Sequence, residues 1–134
     1  MPILAISILS GCATGYHSSS NPTGGYWEKK GPGQLIKVGF SGNGYVTRQK
    51  VGAYLLYRCA EITQREGKKY FAFYVNLPAA VMDQRSSKKN VTKIGSHVTD
   101  YAYILFFDDP SPGLLDSSEV IASLEKEVKG NPEK

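Results

Sequence analysis

One apolar stripe at helical spacing, set between two segments with strand character, constrains the fold of this chain most. Four apolar residues recur every three or four positions along residues 48–66: Val51, Leu55, Cys59 and Ile62. This spacing places them on one face of a helix, and a face of this kind must be buried against a second layer of structure. The stripe therefore predicts a helix packed on a sheet.

The segments around this helix predict the strands of that sheet. Residues 34–40 alternate between apolar and polar, which is typical of a half-buried strand. Residues 70–75 and 98–107 are rich in aromatic side chains. The segment 98–107 is apolar on both faces, so we expect it to be a central strand.

A second helix is predicted after Asp116, where Glu119 completes a capping-box pattern. Gly67 and Gly130 are the expected ends of the two helices. The order strand, helix, strand, strand, helix predicts a small two-layer α/β (α+β) sandwich, with the first two strands parallel if they share a sheet. With 134 residues, the chain has room for one such domain.

The N-terminal residues point to a secreted, anchored protein. An apolar stretch, residues 3–9, is followed by Ser10, Gly11 and Cys12. A signal peptidase selects small residues ahead of the bond that it cleaves. The segment from Leu9 to Cys12 resembles the lipobox of bacterial lipoproteins, which implies a leader over residues 1–11 and an acylated Cys12 at the start of the mature chain. The alternative is an apolar first strand in which Cys12 is a packing residue.

The remaining boundaries follow from this interpretation. Residues 12–33 are expected to form the lipidated cysteine and a flexible tether, 34–130 the domain, and 131–134 a disordered tail. The lipobox resemblance implies triacylation, and Ala13 in place of aspartate implies the periplasmic face of the outer membrane. Membrane lipid, bound through Cys12, is thus the first expected partner. Cys59 then has no disulfide partner, and we expect it to act as a small buried apolar residue.

Two further segments resemble a known family. The Gly42-Asn43-Gly44 turn and the helical segment Tyr54–Thr63 are similar to an uncharacterised family of small proteobacterial envelope lipoproteins. The resemblance implies an envelope location and this fold. It implies no activity.

One candidate binding site precedes the first helix. Gly42, Asn43 and Gly44 form a turn, Thr47 can cap the helix, and Arg48 lies in its first turn. A glycine turn before a helix N-terminus can bind an anion, because free amide groups and the helix dipole point to one place. The alternative is a plain tight turn whose cations face water.

Other functions have weaker support. The aromatic segment 69–74 superficially resembles an RNA-binding strand, but the order of elements differs, so no nucleic acid partner is expected. Ser96, His97 and Asp100 lack a nucleophile elbow, and His97 and His17 make no metal site. We therefore expect no catalytic residue, no metal and no cofactor.

Two charged groups complete the sequence-based expectations. Residues 83–93 form a basic loop that is either a solvated surface or a surface attracted to anions near the anchor. Arg58 and Glu61 are expected to form a structural pair. The expected function is a membrane-anchored envelope lipoprotein with a structural or interaction role, bound to another envelope protein or a cell-wall component. The alternatives are a small anion- or ligand-binding module using residues 42–48 and, third, an enzyme.

Overall fold

The computed structural model describes residues 25–41, 48–93 and 101–129. Within these ranges the chain forms five strands and four helices. In chain order they are β1 (Gly25–Lys30), β2 (Ile36–Ser41), α1 (Arg48–Arg65), β3 (Tyr70–Tyr74), α2 (Leu77–Val81), α3 (Lys88–Thr92), β4 (Tyr101–Phe107), β5 (Leu115–Asp116) and α4 (Ser117–Lys129).

The strands form one antiparallel sheet in the order β1-β2-β4-β3-β5. Because β2 and β3 are both antiparallel to β4, they run parallel to each other, with β4 between them. The first two predicted strands, residues 34–40 and 70–75, correspond to β2 and β3, so their predicted parallel direction is confirmed. The central position of the strand predicted over 98–107 is confirmed as well.

Helices α1 and α4 pack on one face of the sheet, here called the helix-covered face. The apolar stripe of α1 lies in this core: Leu55, Cys59 and Ile62 are at most 1 % exposed, and Val51 is partly buried against them. Four apolar residues of α4 pack into the same core: Val120, Ile121, Leu124 and Val128. The predicted mixed α/β sandwich is confirmed.

On the opposite face of the sheet, the described residues form a smaller core over β3 and β4. Ala79 of α2 packs there against Ala72, Tyr74 and Tyr103. These residues belong to α2, β3 and β4, and Leu114 lies at the edge of the same cluster. This second, smaller core explains why β4 is apolar on both faces.

Two predicted signals for helix ends, Gly67 and Asp116, act as expected. The other two, Thr47 and Gly130, lie outside the described residues. At the end of α1, the Gly67 amide donates to the carbonyl of Gln64 and the Lys68 amide to that of Thr63. Gly67 has a φ of 75°, so this is a Schellman cap that favours glycine. At the start of α4, Asp116 accepts hydrogen bonds from the amides of Ser118 and Glu119.

The predicted boundary between tether and domain is wrong. Residues 25–30 were assigned to the tether 12–33, but they form β1, which pairs with β2 along its whole length. The strand is short and half-polar, so its pairing depends on β2 rather than on a strong local pattern. The leader 1–11, the segment 12–24 and the tail 131–134 lie outside the described residues.

The segment between β3 and β4, which includes the predicted basic loop 83–93, has more regular structure than a loop. It contains α2 and α3, each capped by a side chain: Asn76 accepts from the Ala79 amide, and Ser87 from the Asn90 amide. Both helices have five residues. Fewer than two helical turns cannot show a periodic pattern, which is why sequence periodicity missed them.

Candidate functional site

The positions singled out from the sequence are mostly beyond the described part of the chain. Cys12, the predicted lipid attachment site, lies outside it. So do the predicted anion-binding residues Gly42, Asn43, Gly44 and Thr47. Arg48 is the first residue of α1, but its side chain is not among those that the structure describes. The lipid-attachment and anion-binding assignments therefore stay predictions.

The residues considered for catalysis and metal binding can be placed only in part. Ser96, His97, Asp100 and His17 lie outside the described residues. Among those that are described, no group of three His, Cys, Asp or Glu residues is arranged to hold a metal ion. Cys59 is fully buried, and burial raises the pKa of its thiol, as expected for a packing residue.

None of the helices described is both long and apolar enough to cross a bilayer.

The basic loop 83–93 is more ordered than its sequence suggests. Arg85 pairs with Asp83 at 2.9 Å, and its Nη1 donates to the carbonyl oxygen of Pro112 at 2.8 Å. Lys88 pairs with Glu119 of α4 at 2.8 Å. Two of the loop's cations thus hold neighbouring elements together. Lys89 and Lys93 are exposed.

Asp83 is the centre of this loop's contacts with the sheet. Its φ is 54°, and its carboxylate accepts hydrogen bonds from the Tyr74 hydroxyl and from Arg85. These hydrogen bonds, the one from Tyr74 above all, lower the pKa of Asp83. Burial, helped by the bond to Asp83, raises the pKa of Tyr74. The cluster holds α2 over β3 and β4, and among the described residues neither the cluster nor α2 extends over the β1–β2 half of this face.

Two rows of side chains cross the β1–β2 half of this face and reach β4. In the first row, Trp27 of β1 lies opposite Gly39 of β2, which in turn lies opposite Tyr101 of β4. A Cβ atom at Gly39 would fall closer than 3.0 Å to the Trp27 ring. The indole therefore lies across the Gly39 backbone, and only glycine leaves room for it there.

In the second row, Lys29 of β1 lies opposite Lys37 of β2, which lies opposite Tyr103. The Lys37 Nζ is 4.1 Å from the ring centroid of Tyr101 and 5.9 Å from that of Trp27. The Lys29 Nζ is 5.3 Å from the Trp27 ring. Trp27, Lys29, Lys37 and Tyr101 are called the lysine–aromatic face below.

The charge of this face is not balanced by carboxylates. Like charges placed directly opposite each other on neighbouring strands are unfavourable. Within residues 25–41, 48–93 and 101–129, neither Lys29 nor Lys37 forms an ion pair, and both interact with aromatic rings instead. Cation–π contacts stabilise an ammonium group without neutralising it. The face is therefore positively charged.

A charge cluster on the other face of β1 holds this strand in place. Arg65 donates to Glu28 through Nη2 at 2.6 Å and through Nη1 at 2.9 Å, and Arg58 lies 3.3 Å from the same carboxylate. The hydrogen bond from Arg65 is the main cause of the lowered pKa of Glu28. The predicted pair of Arg58 and Glu61 is confirmed at 3.4 Å. Because neighbouring side chains in a strand lie on opposite faces, these ion pairs of Glu28 with α1 place Trp27 on the other face of β1.

Sequence reasoning missed the lysine–aromatic face because it placed β1 in the tether. One local signal was available. Trp27 and Lys29 alternate with Tyr26 and Glu28, and a glycine within a strand, here Gly39, often marks a close approach. Only the pairing of β1 with β2 brings these signals together.

Comparisons with protein-family models, with curated proteins and with solved structures returned no match to this chain. The geometry of the described residues and the sequence before them are what bear on function.

Proposed function

We propose that this chain is a lipid-anchored protein of the bacterial envelope, with an interaction or structural role at the periplasmic face of the outer membrane. One observation carries the proposal. An apolar segment at residues 3–9, the small pair Ser10 and Gly11, and Cys12 precede the folded domain in the order that an acylated protein requires. The acyl chains on Cys12 hold the domain at the membrane.

Three further observations support this proposal. Among the described residues, the first strand begins at Gly25, so the segment 13–24 joins the lipidated residue to the described part of the domain. The resemblance of residues 40–63 to small envelope lipoproteins favours the same location. The positively charged lysine–aromatic face, with Lys29 and Tyr101 exposed, supports a role in contact with another component of the envelope.

Substitution of Cys12 tests the anchor. In a Gram-negative host, Cys12→Ser is expected to move the protein from the membrane pellet to the soluble periplasmic fraction, because serine cannot take the thioether-linked lipid. The membranes are washed in 1 M NaCl before the protein in each fraction is measured, since salt at this concentration removes proteins that are held by charge alone. Mass spectrometry of the unsubstituted protein should show acyl chains on residue 12.

Cys59→Ala is the matched control. It removes the other cysteine, leaves Cys12 in place, and should leave the protein in the washed membranes. Retention of the Cys12→Ser protein after the salt wash, or an unmodified Met1 at the N-terminus of the purified protein, would contradict the proposal.

A further inference from the structure

The lysine–aromatic face is the part of the described surface whose partner can be argued from its chemistry. It lies on the half of the sheet face that α2 does not cover, and it carries two lysines and two aromatic rings on three adjacent strands. Lys29 and Tyr101 are exposed, and Trp27 and Lys37 are half-buried. We propose that this face docks on the surface of a bilayer that contains anionic phospholipid. Docking of this kind would orient the domain relative to the membrane that holds its anchor.

Charge is the first argument for this partner. Lys29 and Lys37 face each other without a carboxylate partner among the described residues, so a phosphate-bearing surface would relieve an unfavourable arrangement within the sheet. Each lysine close to an anionic membrane strengthens binding about fivefold. The net charge of +4 favours the same kind of surface.

The aromatic side chains are the second argument. Tryptophan and tyrosine concentrate at the level of the lipid headgroups, because one end of each ring system is apolar and the other is polar. Tyr101 is 36 % exposed, and Trp27 lies beside it across Gly39. On the same side of the sheet, the end of α2 exposes Val81 and Met82, which can enter the bilayer interface.

The path of the chain is the third argument, and this step rests on the proposed function. Trp27 follows the start of β1 at Gly25 by two residues. The segment 13–24 spans at most about 40 Å when fully extended, so an acylated Cys12 keeps β1 close to the membrane. Among the elements described, β1 is the first after the anchor, and its Trp27 and Lys29 belong to the face.

Vesicle binding by the unlipidated protein tests the inference directly. The protein is residues 12–134 with Cys12→Ser, which retains every described residue and cannot carry a lipid. Trp27 is the single tryptophan of the chain, so its emission reports on the face without a label. With vesicles of phosphatidylethanolamine and phosphatidylglycerol, the emission should move to shorter wavelength, and the protein should float with the vesicles at low salt.

Charge-neutralising variants make the test specific. Lys29→Gln with Lys37→Gln should weaken vesicle binding about thirtyfold, as the loss of two lysine contacts predicts. Lys89→Gln with Lys126→Gln removes the same net charge from exposed positions on α3 and α4, and should leave binding within about twofold. Circular dichroism shows whether each variant is folded.

The possible outcomes separate this inference from the proposed anchor. Equal weakening by both double variants would overturn the inference, because binding would then follow net charge alone. No flotation, or a change in Trp27 emission with soluble peptidoglycan fragments but not with vesicles, would overturn it as well. The cell fractionation of Cys12→Ser does not depend on any of these results, since the salt wash removes binding through the face.

Discussion

At the scale of single residues, Gly39 determines how the lysine–aromatic face is built. Any larger residue at this position would occupy the space of the Trp27 indole. The ring is a side chain at the edge of the sheet, so it can move away, whereas the backbone of β2 cannot. The position of Trp27 thus depends on a missing side chain on the neighbouring strand.

Gly39→Ala should therefore displace the Trp27 ring into water. We expect its fluorescence to shift to longer wavelength and its quenching by acrylamide to increase. The free energy of unfolding should fall by about 1 kcal/mol, because part of the indole's apolar contact is lost. Ala122→Ser, at an exposed position of α4, is the control. It should leave the emission wavelength, the quenching and the free energy of unfolding unchanged. An unchanged emission spectrum in Gly39→Ala would show that the ring does not lie across Gly39.

Cys59 shows at the same scale how environment determines chemistry. The residue is enclosed by the core, and the hydroxyl of Thr63 donates to its carbonyl oxygen at 2.7 Å. A buried thiol with a raised pKa forms little thiolate and is a poor nucleophile. The side chain contributes packing, which agrees with its place in the apolar stripe.

At the scale of elements, the contact between α1 and α3 depends on Gly52. A Cβ atom at this position would fall closer than 3.0 Å to the carbonyl oxygen of Val91. Val91 is itself 1 % exposed and belongs to the main core. The two helices thus approach each other through backbone atoms, which have little freedom to move.

Gly52→Ala tests this contact, because the sign of the change in the free energy of unfolding shows whether α1 and α3 touch at this position. In an open helix, alanine would stabilise the protein by up to about 1 kcal/mol relative to glycine. Here the clash with α3 should dominate and lower the free energy of unfolding by about 1–3 kcal/mol, as measured by denaturant titration. Stability that is unchanged or raised would mean that α3 does not pack on α1 at this point.

Helix α4 shows how a local signal can be used for a different contact. The pattern of Asp116 and Glu119 predicts a capping box, and Asp116 does cap the helix. Glu119 pairs with Lys88 and so ties α4 to α3. The local pattern assigns the Glu119 side chain to the helix cap, but in the structure this side chain forms a salt bridge with Lys88, which is distant in sequence.

At the scale of the whole molecule, β1 is the edge strand of the described sheet, and it is held by β2 and by the ion pairs of Glu28 with Arg58 and Arg65 on α1, called the Glu28 clamp. Glu28 is 30 % exposed and Arg65 is 49 % exposed, so solvent screens this interaction in part. Since the clamp joins residues near the two ends of the β1–α1 segment, its strength should affect unfolding of the whole domain.

The lowered pKa of Glu28 predicts how stability depends on pH. The folded-state pKa lies below the ordinary value of 4.5, so the carboxylate's contribution is complete above that pH and is lost as the pH falls through the folded-state pKa. Glu28→Gln should lower the free energy of unfolding by about 1 kcal/mol at pH 7. The difference between the two proteins should shrink below pH 4.5.

The exposed carboxylate Glu125 on α4 provides the control for this experiment. Glu125→Gln should change the stability at pH 7 by less than about 0.5 kcal/mol. If Glu28→Gln lowers the free energy of unfolding by the same amount at pH 7 and at pH 3, the lost contact is one of packing and not of charge.

Local patterns predicted most of the elements and little of the candidate site. The helix of residues 48–65, its cap at Gly67 and the start of α4 at Asp116 depend on side chains within a few positions of each other, so they are visible in one sequence. The five-residue helices α2 and α3 are too short to be periodic. The edge strand β1 was missed because its pattern is weak without its partner.

By itself, the sequence determined the periodicities, the helix ends and the class of the fold, because these properties arise from neighbours along the chain. The tertiary structure alone decided that β4 lies between β2 and β3, that Lys29 faces Lys37, and that Glu28 reaches Arg65. These contacts join residues far apart in sequence. They form only when burial of the common core selects one pairing of strands, and no local pattern contains that choice.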